Sequence, residues 1–64
     1  MQPHQQRVVD EKAELDDRMT KLDAFIAQNP MFLKLDVDEQ KRLTRQYRYM
    51  RDYSFVLGER ISAF

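Results

Sequence analysis

Ile26-Ala27-Gln28-Asn29-Pro30-Met31-Phe32-Leu33-Lys34-Leu35-Asp36-Val37-Asp38-Glu39 is the stretch on which the fold turns. Pro30 has no N–H to give a helix, and its ring pushes Asn29 out of the helical region, so a helix arriving from the N-terminal side ends here. Asp36 is a good N-cap, and Glu39 three residues later completes the spacing of a capping box. The acidic groups Asp36, Asp38 and Glu39 also suit the positive end of a helix dipole. A second helix therefore starts at Val37. Between the two lies Met31–Leu35, short and apolar. It has no partner strand, so we expect a helical turn whose Phe32 and Leu35 plug one end of the structure.

On the N-terminal side, a helix is predicted from about Gln5 to Ala27, with Pro3 harmless near its start. Val8, Leu15, Met19, Leu22 and Ile26, with Lys12 filling one place, recur at 4-3-4-3-4 spacing, the seam of a heptad repeat. Val9 and Phe25 widen that seam. On the C-terminal side, a helix is predicted from Val37 to about Ala63. Its seam is Leu43, Tyr47, Met50, Ser54, Leu57, Ile61 and Phe64, again spaced by fours and threes. A second row, Tyr49, Tyr53 and Val56, runs beside it, and Phe55 adds another aromatic. Two helices of similar length on a short connector make an antiparallel hairpin. The fold class is all-α, one helical-hairpin domain over residues 1–64. Two helices cannot cover this much apolar surface, so the hairpin is expected to assemble into a homo-oligomeric bundle.

Composition narrows the function. The chain has 64 residues, no cysteine and a single histidine, His4 near the N-terminus. Disulfides, thiolate metal sites and a cysteine nucleophile are thereby absent, and one histidine makes no metal centre. A domain this short without staples commonly gains stability by oligomerising. There is no glycine-rich phosphate loop, no HExxH and no nucleophile–base pair, so neither enzyme activity nor a cofactor is expected. Charged residues are 34% of the chain with zero net charge, which weighs against a DNA-coating protein. No apolar run reaches bilayer length and no signal-peptide core is visible, so no membrane association is expected and the protein should stay in the cytoplasm where it is made.

Three charge patterns stand out. Glu14–Arg18 and Asp17–Lys21 are spaced for ion pairs along the first helix. Lys41, Arg42, Arg45, Arg48 and Arg51 form a basic run interleaved with Tyr47, Tyr49 and Tyr53, the ingredients for phosphates and stacked bases. The same tyrosines and arginines also suit a core position or ion pairs with acids elsewhere. Arg7 and Arg60 fall at the same end of an antiparallel hairpin, where two guanidiniums can grip an anion or pair with Glu11 and Glu59.

The pattern Arg7-Val8, Glu11, Glu14-Leu15, Lys21-Leu22, Phe25-Ile26, Phe32, Leu35, Glu39, Leu43, Gln46, Met50, Tyr53, Leu57 and Arg60-Ile61 covers nearly the whole chain. It resembles a family of small phage proteins related to a protein of a crAss-type phage. These in turn resemble the helical-hairpin domain of phage anti-CBASS and anti-Thoeris sponges. The resemblance implies an oligomer, often a hexamer in such sponges, that holds cyclic di- or tri-nucleotides between subunits in the host cytoplasm and starves immune effectors of their signal without cleaving it. It implies Arg7 and Arg60 as phosphate ligands, Lys21 as a further cation and Tyr53 as a stacking platform, with Tyr47 as an additional ligand-binding position. The alternative is a small helical module of a phage that docks its apolar faces on a protein partner. Whether Tyr49 and Phe55 face subunits or ligand is open at this level.

Overall fold

The computed structural model describes residues 1–64 and contains three helices: α1 (Pro3–Gln28), α2 (Met31–Lys34) and α3 (Val37–Ser62). Pro3 sits at the first position of α1, where a missing N–H costs nothing, and extends the helix beyond the expected start at Gln5. The Gln2 N–H donates to Gln5 Oε1 at 2.9 Å, satisfying one group at the frayed end.

The connector forms as its residues dictate. Asn29 is extended (φ −88°, ψ 121°), as a residue before proline prefers, and its Oδ1 accepts from the Met31 N–H at 2.9 Å. Phe32 is buried, and its ring meets Phe25 edge-on, with centroids 6.1 Å apart and an interplanar angle of 86°. Gln40 Nε2 donates to the Leu35 carbonyl at 2.9 Å, tying the connector to the first turns of α3. Asp36 caps α3 through its Oδ1, which accepts from the Asp38 and Glu39 N–H groups at 2.8 and 3.1 Å. The reciprocal half of the expected capping box is absent. Glu39 instead turns forward to Arg42, whose Nε donates to its carboxylate at 2.8 Å. An oppositely charged guanidinium one turn ahead outcompetes a neutral backbone donor for the carboxylate.

α1 and α3 pack antiparallel into a rod of 45 × 15 × 13 Å. The core is Val8, Leu15 and Leu57, with Met19, Met50 and Ile61 packed against it; Leu57 alone is completely enclosed. Only 5 of the 64 residues are buried, so most of both helices' surfaces face outward. The two polar interruptions of the apolar seams meet through a third residue. Ser54 Oγ donates to Asp16 Oδ1 at 2.5 Å, and Lys12 Nζ donates to Asp16 Oδ2 at 2.7 Å. Phe64, the last residue of the predicted seam, is exposed past the end of α3.

Candidate functional site

The chemistry-bearing residues lie on α3, and the helical repeat of about 100° per residue sorts them. Leu57, Ser54, Met50 and Leu43 face α1. Turning one way from that seam, Gln46, Tyr49, Tyr53, Val56 and Arg60 follow each other at spacings of three and four. Tyr49, Tyr53 and Val56 are 57%, 45% and 48% exposed. Arg42, Arg45, Gln46, Tyr49, Met50 and Tyr53 line a shallow depression of about 540 Å³ on this flank. The Arg48 guanidinium, at the back of the helix, lies 5.4 Å from the centre of the Tyr49 ring.

Turning the other way, Lys41, Thr44, Arg45, Tyr47, Arg48 and Arg51 line a groove of about 680 Å³ that Phe32 and Val37 close at the connector end. No acidic side chain lines it. Lys41, Arg45 and Arg48 make no ion pair, and Arg51 only grazes Asp52 at 4.0 Å. Arg42, by contrast, is held by Glu39, which raises its pKa further above the usual arginine value. Arg51 also borders a second groove of about 780 Å³, shared with Lys12, Met19, Ser54, Phe55 and Gly58. Beside it, the Lys12 ammonium and the Ser54 hydroxyl hold the Asp16 carboxyl below the ordinary carboxylate pKa, against the opposing effect of burial. The Lys12 stem passes close to Gly58: a Cβ there would lie 3.4 Å from Lys12 Cε.

Of the residues singled out from the sequence, Arg7 and Arg60 are exposed at the same end of the rod, set there by the antiparallel packing that joins Asp16 to Ser54. Neither forms the ion pair with Glu11 or Glu59 that its spacing permits. Arg60 shares its flank of α3 with Tyr53, and Arg7 lies on the adjoining flank of α1 by the same helical count. Lys21 stands elsewhere. It is 14 residues beyond Arg7, about 21 Å along the axis, and its ammonium is 2.9 Å from Asp17. Of the two ion pairs expected on α1, Asp17–Lys21 forms and Glu14–Arg18 does not. Tyr47 is half-buried on the opposite flank of α3 from Tyr53, between the basic groove and a recess lined by Asp16, Met19, Thr20 and Asp23. The structure thus gathers Arg7, Arg60 and Tyr53 on one face and leaves Lys21 and Tyr47 apart.

The groove cations were visible in the sequence as a run of eleven residues, Lys41–Arg51, with five positive charges and no acid. What the linear pattern did not show is that four of them open onto one surface while the fifth, Arg42, is neutralised by its neighbour. Unpaired guanidiniums beside tyrosine rings bind phosphate groups and stack bases. No three His, Cys, Asp or Glu side chains converge to hold a metal ion. No helix is long and apolar enough to cross a membrane.

No curated protein and no solved structure matches the chain. A family model described as Sequestin does, over residues 2–63, which takes in all three helices and every residue of the two grooves. On that match the chain belongs to the Sequestin family.

Proposed function

We propose that the protein is a phage anti-defence sponge, akin to the crAss-type phage proteins that its sequence resembles, which binds cyclic di- or tri-nucleotide immune signals in the host cytoplasm and withholds them without cleavage. The family's name denotes sequestration, and the match spans nearly the whole chain. The observation that carries the nucleotide part is the surface of α3, where Arg45 and Arg48, without acidic partners, stand beside the half-buried Tyr47, and Arg48 also lies against the exposed Tyr49 ring. Such a surface satisfies phosphates by charge-assisted hydrogen bonds and bases by stacking. In this reading the ligand is held and not hydrolysed.

The acting unit in this proposal is a homo-oligomer, a hexamer in the arrangement that the resemblance implies. A core of so few buried residues gives a single hairpin little to set against the entropy of ordering two long helices. Stacking further copies along the Tyr49–Tyr53–Val56 flank removes exposed apolar surface and creates concave junctions.

Native mass spectrometry with and without a panel of cyclic di- and tri-nucleotides tests the proposal. The expected result is an oligomer carrying whole ligands in a fixed ratio, released unchanged on denaturation. A protein that carries no ligand from the panel, or releases cleaved ligand, refutes it. A stoichiometric complex with one protein in place of nucleotide establishes the docking-module alternative.

A further inference from the structure

We infer that the phosphates of the ligand are bound in the groove formed by Lys41, Arg45, Arg48 and Arg51 with Tyr47 at its inner wall, on the flank of α3 opposite to Tyr53, and not by Arg7 and Arg60. The inference rests on the sponge reading and names the site within it. Charge density decides between the two faces. The groove collects four cations and no acid within one surface, whereas Arg7 and Arg60 line no cavity of the chain. Lys41, Arg45 and Arg48 make no ion pair, so an anion bound to them displaces no carboxylate. The cost of desolvating an unpaired guanidinium is recovered only by an anionic ligand, and a bidentate oxygen pair such as a phosphodiester matches its fork.

The spacing of the cations describes the ligand. From Lys41 to Arg51 the ladder spans ten residues, about 15 Å of helix, with about one cation per turn. A single phosphate reaches two of these groups at most, so the full ladder calls for several phosphates in one molecule. The ladder is also bounded. Asp36, Asp38 and Glu39 precede it, and Asp52 and Glu59 follow it on the same helix. A long strand laid along α3 would run onto carboxylates at either end. A compact cyclic oligonucleotide places its phosphates on the ladder without reaching them. Tyr47 is held half-buried beside the groove and offers a ring edge or face to one base.

The test compares Arg45→Ala/Arg48→Ala with Arg7→Ala/Arg60→Ala by calorimetric titration, using the full chain and the cyclic nucleotide that the wild type binds best. All four side chains are exposed, so both variants are expected to keep the wild-type melting temperature and native mass. The groove variant should lose tenfold or more in affinity, with a weaker salt dependence, while the Arg7/Arg60 variant stays within threefold of wild type. Lys41→Ala/Arg51→Ala gives a second reading of the same groove and should also lose at least tenfold. Wild-type affinity in both groove variants overturns the site and leaves the sponge reading standing. So does a linear oligonucleotide of the same bases that binds the wild type as tightly as the cyclic one. A wild type that binds no cyclic nucleotide overturns both readings together, and a groove variant with altered native mass shows that this surface holds subunits and not ligand.

Discussion

The two halves of the hairpin follow the same heptad spacing but bury it differently. Toward the chain termini, Val8, Leu15, Ser54 and Leu57 are buried and Ile61 packs against them. Toward the connector, Leu22, Ile26 and Leu43 occupy equivalent seam positions and are only half-buried; Phe32, from outside the seam, is the one enclosed side chain there. Side-chain size accounts for part of the contrast. The terminal half has Ser54 and Gly58 on α3, which leave room for the Lys12 stem, whereas the connector half carries Tyr47 in the same stripe. The difference separates two tasks: one half supplies cohesion, and the other, less tightly enclosed, presents the cation ladder. Apolar periodicity alone does not distinguish a seam that closes from one that stays partly open.

Truncations along the seam give the largest expected effects and are the most direct way to break this contrast. Leu57→Ala empties the one fully enclosed site and should cost about 2–5 kcal/mol. Leu43→Ala, at a half-buried position, should cost about 1–2 kcal/mol. Urea denaturation at fixed protein concentration measures both. Equal losses would mean that the two halves are equally cohesive and that the division of labour is wrong.

The next effect in size belongs to the polar contact within the cohesive half. Ser54→Ala removes the hydroxyl that donates to Asp16 and should cost about 1.5 kcal/mol, the lower end of the range for hydrogen bonds to charged groups because the carboxylate is partly exposed. The same contact sets a pH dependence. Asp16 has a lower pKa in the folded chain than in the unfolded one, so its contribution is complete above the unfolded value and fades as pH falls through the folded one. An acid titration of stability should therefore show a loss in the wild type that is missing in Asp16→Asn. Parallel curves for the two proteins would show that the Lys12–Asp16–Ser54 contact carries no net stability.

The smallest effect sharpens the account of side-chain size. A methyl at Gly58 would sit 3.4 Å from the flexible end of the Lys12 stem, an ordinary contact, while alanine is the better helix former. Gly58→Ala should then stabilise by up to about 1 kcal/mol, read as a raised melting temperature. A destabilised variant would show instead that the terminal half depends on the bare backbone at this point.

Much of the fold was legible in the sequence because local rules dominate it. Pro30 stops α1, Asp36 starts α3, and both seams keep their spacing through one polar position each, so each helix could be placed before any contact was known. The candidate site was legible only in part. Arg7 and Arg60 could be assigned to one end of the rod from topology alone, and the basic run could be seen. Which flank Tyr47 and Tyr53 occupy depends on rotation about the helix axis relative to α1, and that is set by contacts many residues apart, such as Asp16 with Ser54. Lys12 and Ser54 likewise read as two separate flaws in an apolar pattern. Their common partner lies four residues from one and 38 from the other, and the longer separation leaves no local trace.

That shared carboxylate also polices alignment. A heptad seam tolerates sliding by seven residues, since apolar positions fall again on apolar positions. Slid by one heptad in either direction, this hairpin would bring Tyr47 or Ile61 to the place of Ser54 opposite Asp16. Ile61 offers no donor at all, and Tyr47 is a bulky ring where a small side chain belongs. Each mis-slid hairpin loses the Ser54–Asp16 hydrogen bond that the correct pairing makes. Two apparent blemishes in an oily stripe thus serve as a proofreading mark that lets a repetitive sequence settle into one alignment.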